Sequence, residues 1–429
     1  MKDKVNIFWF RRDLRLTDNS GLSVALSKNI PVLPVFIFDT GILSRLSSSY
    51  DRRVDYIQQA LEFLNKTLIA NGSSFKIFHE NPISAFEKLI EQYDIQEVFL
   101  NRDYEPEAIK RDAAIEALLK THGIKFNSFK DQVIFDRDEV VKPDGKAYTV
   151  FTPYARSWKL KLNDTSIKEK KIDLNNFYKN NKGEIPSIEK TGFQKTDIKF
   201  YLPEIDIELI EQYDMYRDYP AMNNSSRLGM ALRFGTISIR KCVKAAVKYN
   251  SVWLNELIWR EFFMQILFHF PQVEHHCFKP LYENLKWRNN EKEFELWCRG
   301  KTGYPIVDAG MRELNATGFM HNRVRMITAG FLTKHLLTDW RWGEAYFASR
   351  LNDYELSSNN GNWQWVAGCG CDAAPYFRIF NPFTQTEKFD KDHIYIRKWI
   401  SLKEENTTPP IVDHQFARER AIKAYKTLK

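Results

Sequence analysis

The densest group of residues able to do chemistry lies at 359–365, where the sequence reads N-N-G-N-W-Q-W. On a helix, Asn359 and Trp363 lie four residues apart and share a face, whereas Trp363 and Trp365 lie two apart and point in nearly opposite directions. One indole can therefore contact a bound cofactor while the other lines a different cavity. Spacing alone favours a plainer alternative, two core aromatic residues beside a capping asparagine.

A second group lies at 253–263, W-L-N-E-L-I-W-R-E-F-F, and forms one helical stripe of Glu256, Trp259, Arg260 and Phe263. A buried glutamate beside an indole is costly unless a partner hydrogen-bonds to it or it takes up a proton. The alternative is a surface pair between Glu256 and Arg260, contributing about 0.3–0.5 kcal/mol.

A third group, H-N-R-V-R-M at 321–326, sets Asn322, Arg325 and Met326 on one helical face. An asparagine amide there can read a base edge, and an arginine can pair with a carboxylate.

The bulk composition is that of a folded protein, and its net positive charge leans toward a polyanionic partner, although a solvated basic surface is the favoured explanation of the charge taken alone. Lysine and arginine number 63 against 55 acidic residues, a formal charge of +8, and 11 tryptophans contribute to an aromatic content of 14%. The five cysteines are odd in number and form no C-x-x-C, so neither a metal site nor a disulfide framework is expected. The amino terminus meets charge after few apolar residues and no run reaches membrane-spanning length, so a cytoplasmic location is the expectation.

Alternation of short apolar runs with helix-like stretches predicts a doubly wound, parallel α/β domain at the amino end. The predicted strands lie near Val5–Phe10, Pro31–Phe38, Ser74–Phe78 and Glu97–Leu100, with a helix over Asp51–Ala70. No G-x-G-x-x-G follows the first strand, where Arg11, Arg12 and Arg15 stand instead, which argues against a nicotinamide site.

Helical periodicity dominates the remainder, with helices predicted over Trp253–Phe268, Pro305–Leu314 and Asn322–Leu337. We therefore expect an α/β domain at 1–130, a connection at 131–200 and a helical domain at 201–429.

Together with W-F-R-R-D-L-R-L at 9–16 and K-T-G-Y-P-I-V-D-A-G-M-R at 301–312, these groups resemble the photolyase and cryptochrome family over essentially the whole chain. The nearest likeness is to class I cyclobutane pyrimidine dimer photolyases. The resemblance implies an α/β antenna domain, a helical domain that holds FAD, and UV-damaged DNA as the partner of a monomer. The implied reaction is electron donation from light-excited, reduced FAD to a flipped-out dimer, which splits it.

Carried over by motif, the resemblance implies FAD contacts by Tyr213, Ser225, Ser226, Leu228, Trp253, Arg325, Asp353, Glu355 and Asn359. Gly229 replaces a serine, Glu355 an aspartate and Phe319 a tryptophan found in many members, which leaves the contacts at Gly229 and Glu355 open.

The resemblance also implies catalytic roles for Glu256, Asn322, Met326 and Asn359. Lesion or DNA contacts are implied for Arg217, Glu256, Trp259, Arg260, Asn322, Arg323, Trp365 and Arg378. An electron-transfer chain is implied for Trp287, Trp340 and Trp363.

The identity of an antenna chromophore stays open. Asn101, Asp103 and Glu105 resemble the deazaflavin-binding pattern, but loop acids capping a helix explain them equally well. A deazaflavin, another flavin, folate or no antenna would each fit. For the activity, the alternatives are a blue-light-sensing cryptochrome with little repair and a (6-4) photolyase, although Met326 cannot titrate as the histidine of the latter does.

Overall fold

The computed structural model describes residues 1–180, 183–222 and 224–428. The chain forms two compact units, and each is assembled from three separate stretches of sequence. The first comprises Met1–Val140, Trp158–Ile205 and Leu228–Lys248, and the second comprises Val141–Ser157, Asp206–Arg227 and Tyr249–Lys429. These units differ from the continuous ranges 1–130, 131–200 and 201–429 expected from the sequence, because residues in 131–248 fold back onto stretches far away in the chain.

A five-stranded parallel sheet forms the centre of the first unit, in the order β3-β2-β1-β4-β5. The strands are β1 Lys4–Phe10, β2 Val32–Asp39, β3 Lys76–Glu80, β4 Asp94–Asn101 and β5 Lys125–Phe129. The doubly wound α/β prediction is confirmed. The first four strands match the predicted apolar runs because β1 and β2 are buried almost throughout. The fifth, K-F-N-S-F, has no fully buried residue and carries no such run.

Helices connect the strands and make up most of the rest of the chain. Up to residue 161 they are α1 Ser20–Leu26, α2 Thr40–Leu43, α3 Arg52–Ala70, α4 Pro82–Gln92, α5 Pro106–Thr121 and α6 Phe151–Lys161. From residue 207 to 317 they are α7 Ile207–Glu211, α8 Tyr213–Tyr216, α9 Gly229–Phe234, α10 Ile239–Tyr249, α11 Ser251–His269, α12 Glu291–Cys298 and α13 Pro305–Thr317. The last are α14 Asn322–Gly330, α15 Trp340–Arg350, α16 Leu356–Ala367, α17 Pro382–Phe389, α18 Ile394–Trp399, α19 Leu402–Thr407 and α20 His414–Lys426.

A buried ion-pair network holds the turn after β1 in the first unit. Arg15 donates to Asp131 at 2.5 Å, and Arg240 donates to Asp131 and to Asp18, each at 2.8 Å. Burial opposes a charge on Asp131, but the two guanidinium groups bring its pKa down to about 2. Beside the network, Gly235 has a φ of +64° and lies so close to Arg12 that a Cβ would be 2.1 Å from the Arg12 carbonyl oxygen. The arginines that stand where a nicotinamide-binding turn would lie therefore help to hold the turn after β1 in place.

Three helices of the second unit were predicted from periodicity, and they begin within two residues of the expected positions. α14 ends earlier than predicted, at Gly330, because a π-helical turn over Phe331–His335 follows it. The described residues include no helix long and apolar enough to cross a membrane.

Candidate functional site

A cavity of about 340 Å³ opens in the second unit, within the size range of small-molecule sites. Its lining combines three arginines, three acids, three asparagines and three tryptophans with apolar side chains. These residues are Arg217, Glu256, Trp259, Arg260, Phe263, Asn322, Arg325, Met326, Ala329, Phe347, Leu351, Asp353, Tyr354, Glu355, Ser358, Asn359, Asn362, Trp363, Trp365 and Val366. The structure thus brings together all three groups singled out by spacing.

The α11 helix supplies the stripe of Glu256, Trp259, Arg260 and Phe263, all of which line the cavity. The helix begins after Asn250, whose side chain accepts hydrogen bonds from the next turn. Each charged member of the stripe has a partner elsewhere in the unit. Glu256 accepts a hydrogen bond of 2.5 Å from Arg217, and Arg260 donates one of 3.1 Å to Glu355.

Trp259 is held flat against Phe151, a contact the sequence did not reveal. The two ring centroids are 3.6 Å apart and the ring planes differ by 6°. Phe151 is the first residue of α6, and its backbone N–H donates to Asp372 at 3.0 Å. Because the stack fixes the indole plane, Trp259 presents a preformed wall to the cavity.

The first turns of α14 supply Asn322, Arg325 and Met326 to the lining. The helix is capped by His321, whose Nδ1 accepts the Arg323 N–H at 3.2 Å. Burial lowers the pKa of His321 to about 4, so the imidazole is neutral and free to accept at neutral pH. Arg325 donates to both carboxylate oxygens of Asp353, at 2.9 and 3.1 Å.

The α16 helix contributes Asn359, Trp363 and Trp365 to the lining. The glycine of its N-N-G-N-W-Q-W motif lets this helix approach α11, because a Cβ on Gly361 would lie 2.2 Å from the Phe263 ring. Both tryptophans line the same cavity, which corrects the expectation that they line different ones. Two residues apart on a helix, they reach the cavity at different points along its wall.

Asn359 has a fixed orientation. Its amide nitrogen donates to Glu344, at 2.8 Å to the carboxylate and 3.1 Å to the backbone carbonyl. Among the described residues its Oδ1 accepts no hydrogen bond, so an acceptor is left for a ligand in the cavity. Burial raises the pKa of the Glu344 carboxyl.

The three tryptophans of the implied electron-transfer chain differ in depth. Trp363 lines the cavity, Trp340 is 1% exposed in the core, and Trp287 is partly buried against the same core. The Trp363 ring lies 5.0 Å from Phe347 and 6.2 Å from Trp297, centroid to centroid.

Several implied ligands lie outside this cavity. Tyr213 lies under the Arg217 guanidinium, 5.2 Å from the ring centroid, Trp253 is 3% exposed on α11, and Ser225 and Ser226 are half-buried. Leu228 falls in the first unit. The structure therefore does not bring these five side chains into the cavity with the other implied FAD contacts.

Two arginines implied for DNA also lie outside the cavity lining. Arg323 donates to Asp218 at 2.7 Å and lies 4.3 Å above the Phe389 ring centroid. Arg378 is exposed. Arg217 lines the cavity but is paired with Glu256, so the guanidinium groups of Arg217 and Arg323 are both held by carboxylates.

The antenna motif has internal partners throughout. Asn101 donates to Asp13 at 2.6 Å and to Asn19 at 2.7 Å, and its Oδ1 accepts the Gly21 N–H at 2.9 Å. Asp103 and Glu105 both pair with Arg12, and Glu105 also pairs with Arg233. None of the three lines the cavity of about 810 Å³ in the first unit, whose walls include Phe129, Lys130, Phe135, Lys161 and Lys170. Their part in binding a chromophore stays a prediction.

Sequence reasoning missed three residues next to the site. They are Phe151, Glu344 and Trp297. No local sequence pattern reveals these contacts, because the residues of each pair are far apart along the chain. The nearest pair is Glu344 and Asn359, which are 15 residues apart on neighbouring helices. The described residues include no cluster of His, Cys, Asp and Glu able to hold a metal.

Comparison with known proteins finds the same similarity along the whole chain. Residues 6–171 match the family model described as DNA photolyase, and residues 253–409 match the FAD binding domain of DNA photolyase. The chain is 36% identical to the deoxyribodipyrimidine photo-lyase of Vibrio cholerae, over 99% of this chain and 100% of that protein.

Two solved structures share the fold. A bacterial class III photolyase from Agrobacterium tumefaciens has a TM-score of 0.88 and 32% identity, over 100% of this chain and 98% of that one. An archaeal photolyase from Sulfolobus tokodaii, solved with two FAD molecules, has a TM-score of 0.85 and 34% identity, over 99% of this chain and 100% of that one.

Proposed function

This chain belongs to the DNA photolyase family, and from that premise we propose that it repairs cyclobutane pyrimidine dimers in the cavity of the second unit. It is a light-dependent DNA repair enzyme, a deoxyribodipyrimidine photo-lyase, and it uses FAD. One observation carries the assignment of the site. A single cavity is lined by an acid, an amide and two indoles suited to a flipped-out pyrimidine dimer, together with Asn359 and two ion pairs suited to a flavin.

The groups proposed for the flavin are Asn359, Arg325, Asp353, Glu355 and Trp363. The unpartnered Oδ1 of Asn359 suits a ring N–H donor, so the residues present fit the cofactor. The Arg325–Asp353 and Arg260–Glu355 pairs fix the geometry of the surrounding wall more than they add stability. Bound in reduced form, FAD supplies the light-excited electron that splits the dimer.

The groups proposed for the lesion are Glu256, Trp259, Asn322, Met326 and Trp365. The indoles supply flat apolar walls for the flipped bases, and Trp259 is already oriented by its stack on Phe151. Asn322 supplies an amide donor and acceptor for base edges. Glu256 is tied to Arg217 in the free chain, so the lesion must share or displace that arginine to reach it.

Arg217, Arg260, Arg323 and Arg378 are the proposed DNA contacts. Contacts to phosphate fix the position of a duplex without reading its sequence, so binding should weaken with added salt. Only Arg378 is exposed; the other three have carboxylate partners. Arg217 and Arg323 must share or exchange those partners for phosphates as DNA binds, whereas Arg260 keeps Glu355 in the wall of the flavin site.

We also propose that Trp363, Trp340 and Trp287 carry electrons inward to the flavin. Their graded depth supports this order, from the cavity wall through the core to a partly exposed ring. Replacing Trp363 with phenylalanine should block photoreduction of oxidised FAD while repair by chemically reduced enzyme continues. A Trp363→Phe protein that still photoreduces would show that another path serves the flavin.

We also propose that the enzyme works as a monomer, as the family resemblance implies. Light scattering coupled to size exclusion, with and without lesion DNA, measures this directly.

The decisive assay uses purified, FAD-reduced protein and an oligonucleotide with one thymine cyclobutane dimer, in blue light and in darkness. Light-dependent restoration of the thymines is expected, and an oligonucleotide with a (6-4) photoproduct should stay unrepaired. Binding without restoration would favour a light-sensing cryptochrome. Repair of the (6-4) lesion alone would overturn the dimer assignment.

A further inference from the structure

Two buried cysteines lie beside the middle tryptophan of the proposed electron path. Cys277 is 4% exposed and Cys369 is 1% exposed, and both belong to the same core cluster as Trp340. Both are free thiols. They have no part in the cavity described above.

Backbone hydrogen bonds hold the two cysteine segments together. The Lys279 N–H donates to the Cys369 carbonyl oxygen at 2.9 Å, and the Phe278 N–H donates to the Gln364 side chain at 2.8 Å. The Cys369 sulfur lies 3.8 Å from the Gln364 carbonyl oxygen. This arrangement brings the two thiols within hydrogen-bonding range of each other.

The same thiol pair adjoins Trp340. The Trp340 indole nitrogen is buried and has no regular hydrogen-bond partner among residues 1–180, 183–222 and 224–428. The group that its N–H approaches is the Cys277 thiol. An oxidised Trp340 would therefore have a sulfur electron donor as a neighbour in the same core cluster.

The surroundings favour removal of electrons and protons from the pair. The hydrogen bond from Cys369 lowers the pKa of Cys277, whereas burial raises the pKa of Cys369 well above its usual value. Close to Cys369 lies Lys334, whose Nζ donates to the Ala367 carbonyl oxygen at 2.8 Å. Burial lowers the pKa of Lys334 to about 7, so its amine can accept a proton near neutral pH.

We propose that Cys277 and Cys369 form an internal two-electron donor that refills Trp340 during photoreduction of FAD. This inference rests on the tryptophan path proposed above. Two successive electrons leave the thiols through Trp340, both S–H bonds break, and one sulfur–sulfur bond forms. One proton accompanies the electrons to FAD, giving FADH⁻, and the other passes to Lys334. The sulfurs must close to about 2.05 Å for this bond.

The test begins with anaerobic holoenzyme that has oxidised FAD, reduced cysteines and no remaining reductant. Blue light should bleach the absorbance of oxidised FAD, and the number of free thiols per chain should fall by two. Mass spectrometry of the unreduced digest should then find the peptides of Cys277 and Cys369 joined. A protein that bleaches with every thiol intact would overturn the proposal.

Cys277→Ser and Cys369→Ser each remove one half of the pair, and Cys298→Ser is the matched control from a half-buried position outside it. Without an added donor, the absorbance of oxidised FAD in the two pair variants should fall no further in blue light than in darkness. Cys298→Ser should behave as the parent protein. Added ascorbate should restore bleaching in both pair variants. Equal donor-free bleaching in all three proteins would contradict the thiol donor alone, whereas failure of the parent protein even with ascorbate would contradict the tryptophan path itself.

Discussion

Arg217 donates a hydrogen bond of 2.5 Å from Nη1 to Oε1 of Glu256, across 39 residues of sequence. The contact joins the arginine proposed for DNA phosphate to the acid proposed for the lesion, so the free protein keeps each occupied by the other. Burial of Arg217 would lower its pKa, but the Glu256 carboxylate raises it. Lesion binding must therefore exchange one ion pair for two new contacts.

Glu256→Gln should separate affinity from repair. The amide keeps the size of the side chain but releases Arg217, so DNA binding should tighten and the slope of log Kd against log salt should steepen by about one phosphate contact, 0.9 in slope. The repair yield per absorbed photon should also fall, because Glu256 is a proposed lesion contact and its release from Arg217 changes how the dimer is held. Glu291→Gln, on the exposed start of α12, controls for the change in net charge. Equal salt slopes in the two variants would show that Arg217 does not reach the DNA.

Phe151→Ala should weaken recognition of the lesion more than binding of undamaged DNA. Removal of a parallel ring 3.6 Å away frees the Trp259 indole to rotate, and an aromatic pair contributes about 0.5–1.5 kcal/mol beyond buried area, which is roughly a 2- to 12-fold loss of lesion affinity. Phe151→Tyr keeps the ring and should restore the affinity. The measurement is a fluorescence anisotropy titration with lesion and matched undamaged duplexes. Equal losses of affinity for the lesion duplex and the undamaged duplex would show that the stack has no special role in lesion recognition.

Gly343→Ala should displace the Trp363 ring while leaving the tryptophan itself unchanged. A Cβ on Gly343 would lie 2.1 Å from the Trp363 ring, so the indole must move, and overpacking of this kind costs about 1–3 kcal/mol. The matched variant is Gly330→Ala, whose Cβ would lie 3.3 Å from Phe380. The alanine there gains up to about 1 kcal/mol of helix preference, while Phe380 must move by a few tenths of an ångström, so the net change should be smaller than at Gly343. Thermal unfolding compares stability, and the photoreduction rate of oxidised FAD reports whether Trp363 has moved.

Glu344→Gln should make the stability of the protein less dependent on pH. Burial raises the pKa of Glu344 above its ordinary value of 4.5, so the folded state holds this proton more tightly than the unfolded state. The parent protein therefore loses stability relative to the variant as pH rises from 4.5 towards the raised pKa, by at most about 1.4 kcal/mol per pH unit. The difference between urea unfolding midpoints across that range is the measurement. A pH-independent difference would mean that Glu344 ionises in the folded state as it does in water.

Apolar patterning predicted the elements that carry the site better than the contacts within it. The runs at β1 and β2 and the three- and four-residue spacing along α11 are local features, so they can be read directly. The strand β5 was not predicted, because none of its residues is fully buried and no apolar run marks it. The three groups singled out by spacing all contribute side chains to one cavity, Glu256 and Asn359 among them, whereas five of the implied FAD contacts lie outside it.

The partners of those side chains were not predictable from local pattern. Arg260 has Glu256 four residues away on its own helix, yet its partner at 3.1 Å is Glu355 from the start of α16. The choice depends on how two helices pack, and Gly361 sets that packing by admitting Phe263. Likewise, Asn101 donates to Asp13 and Asn19 and accepts from Gly21, and its sequence motif reveals none of these partners.

The first unit takes its last stretch, Leu228–Lys248, from beyond a segment that belongs to the second. Within that stretch Arg240 closes the buried ion-pair network on Asp131, and Phe234 packs against Tyr56 with ring centroids 5.6 Å apart. A nascent chain that has emerged only to residue 205 leaves Asp131 without one of its cations and Tyr56 without this neighbour. On a ribosome adding about 5–20 residues per second, completion of the amino-terminal unit must wait several seconds after its sheet has emerged. Chaperones that shelter exposed apolar surface would have most to do in that interval.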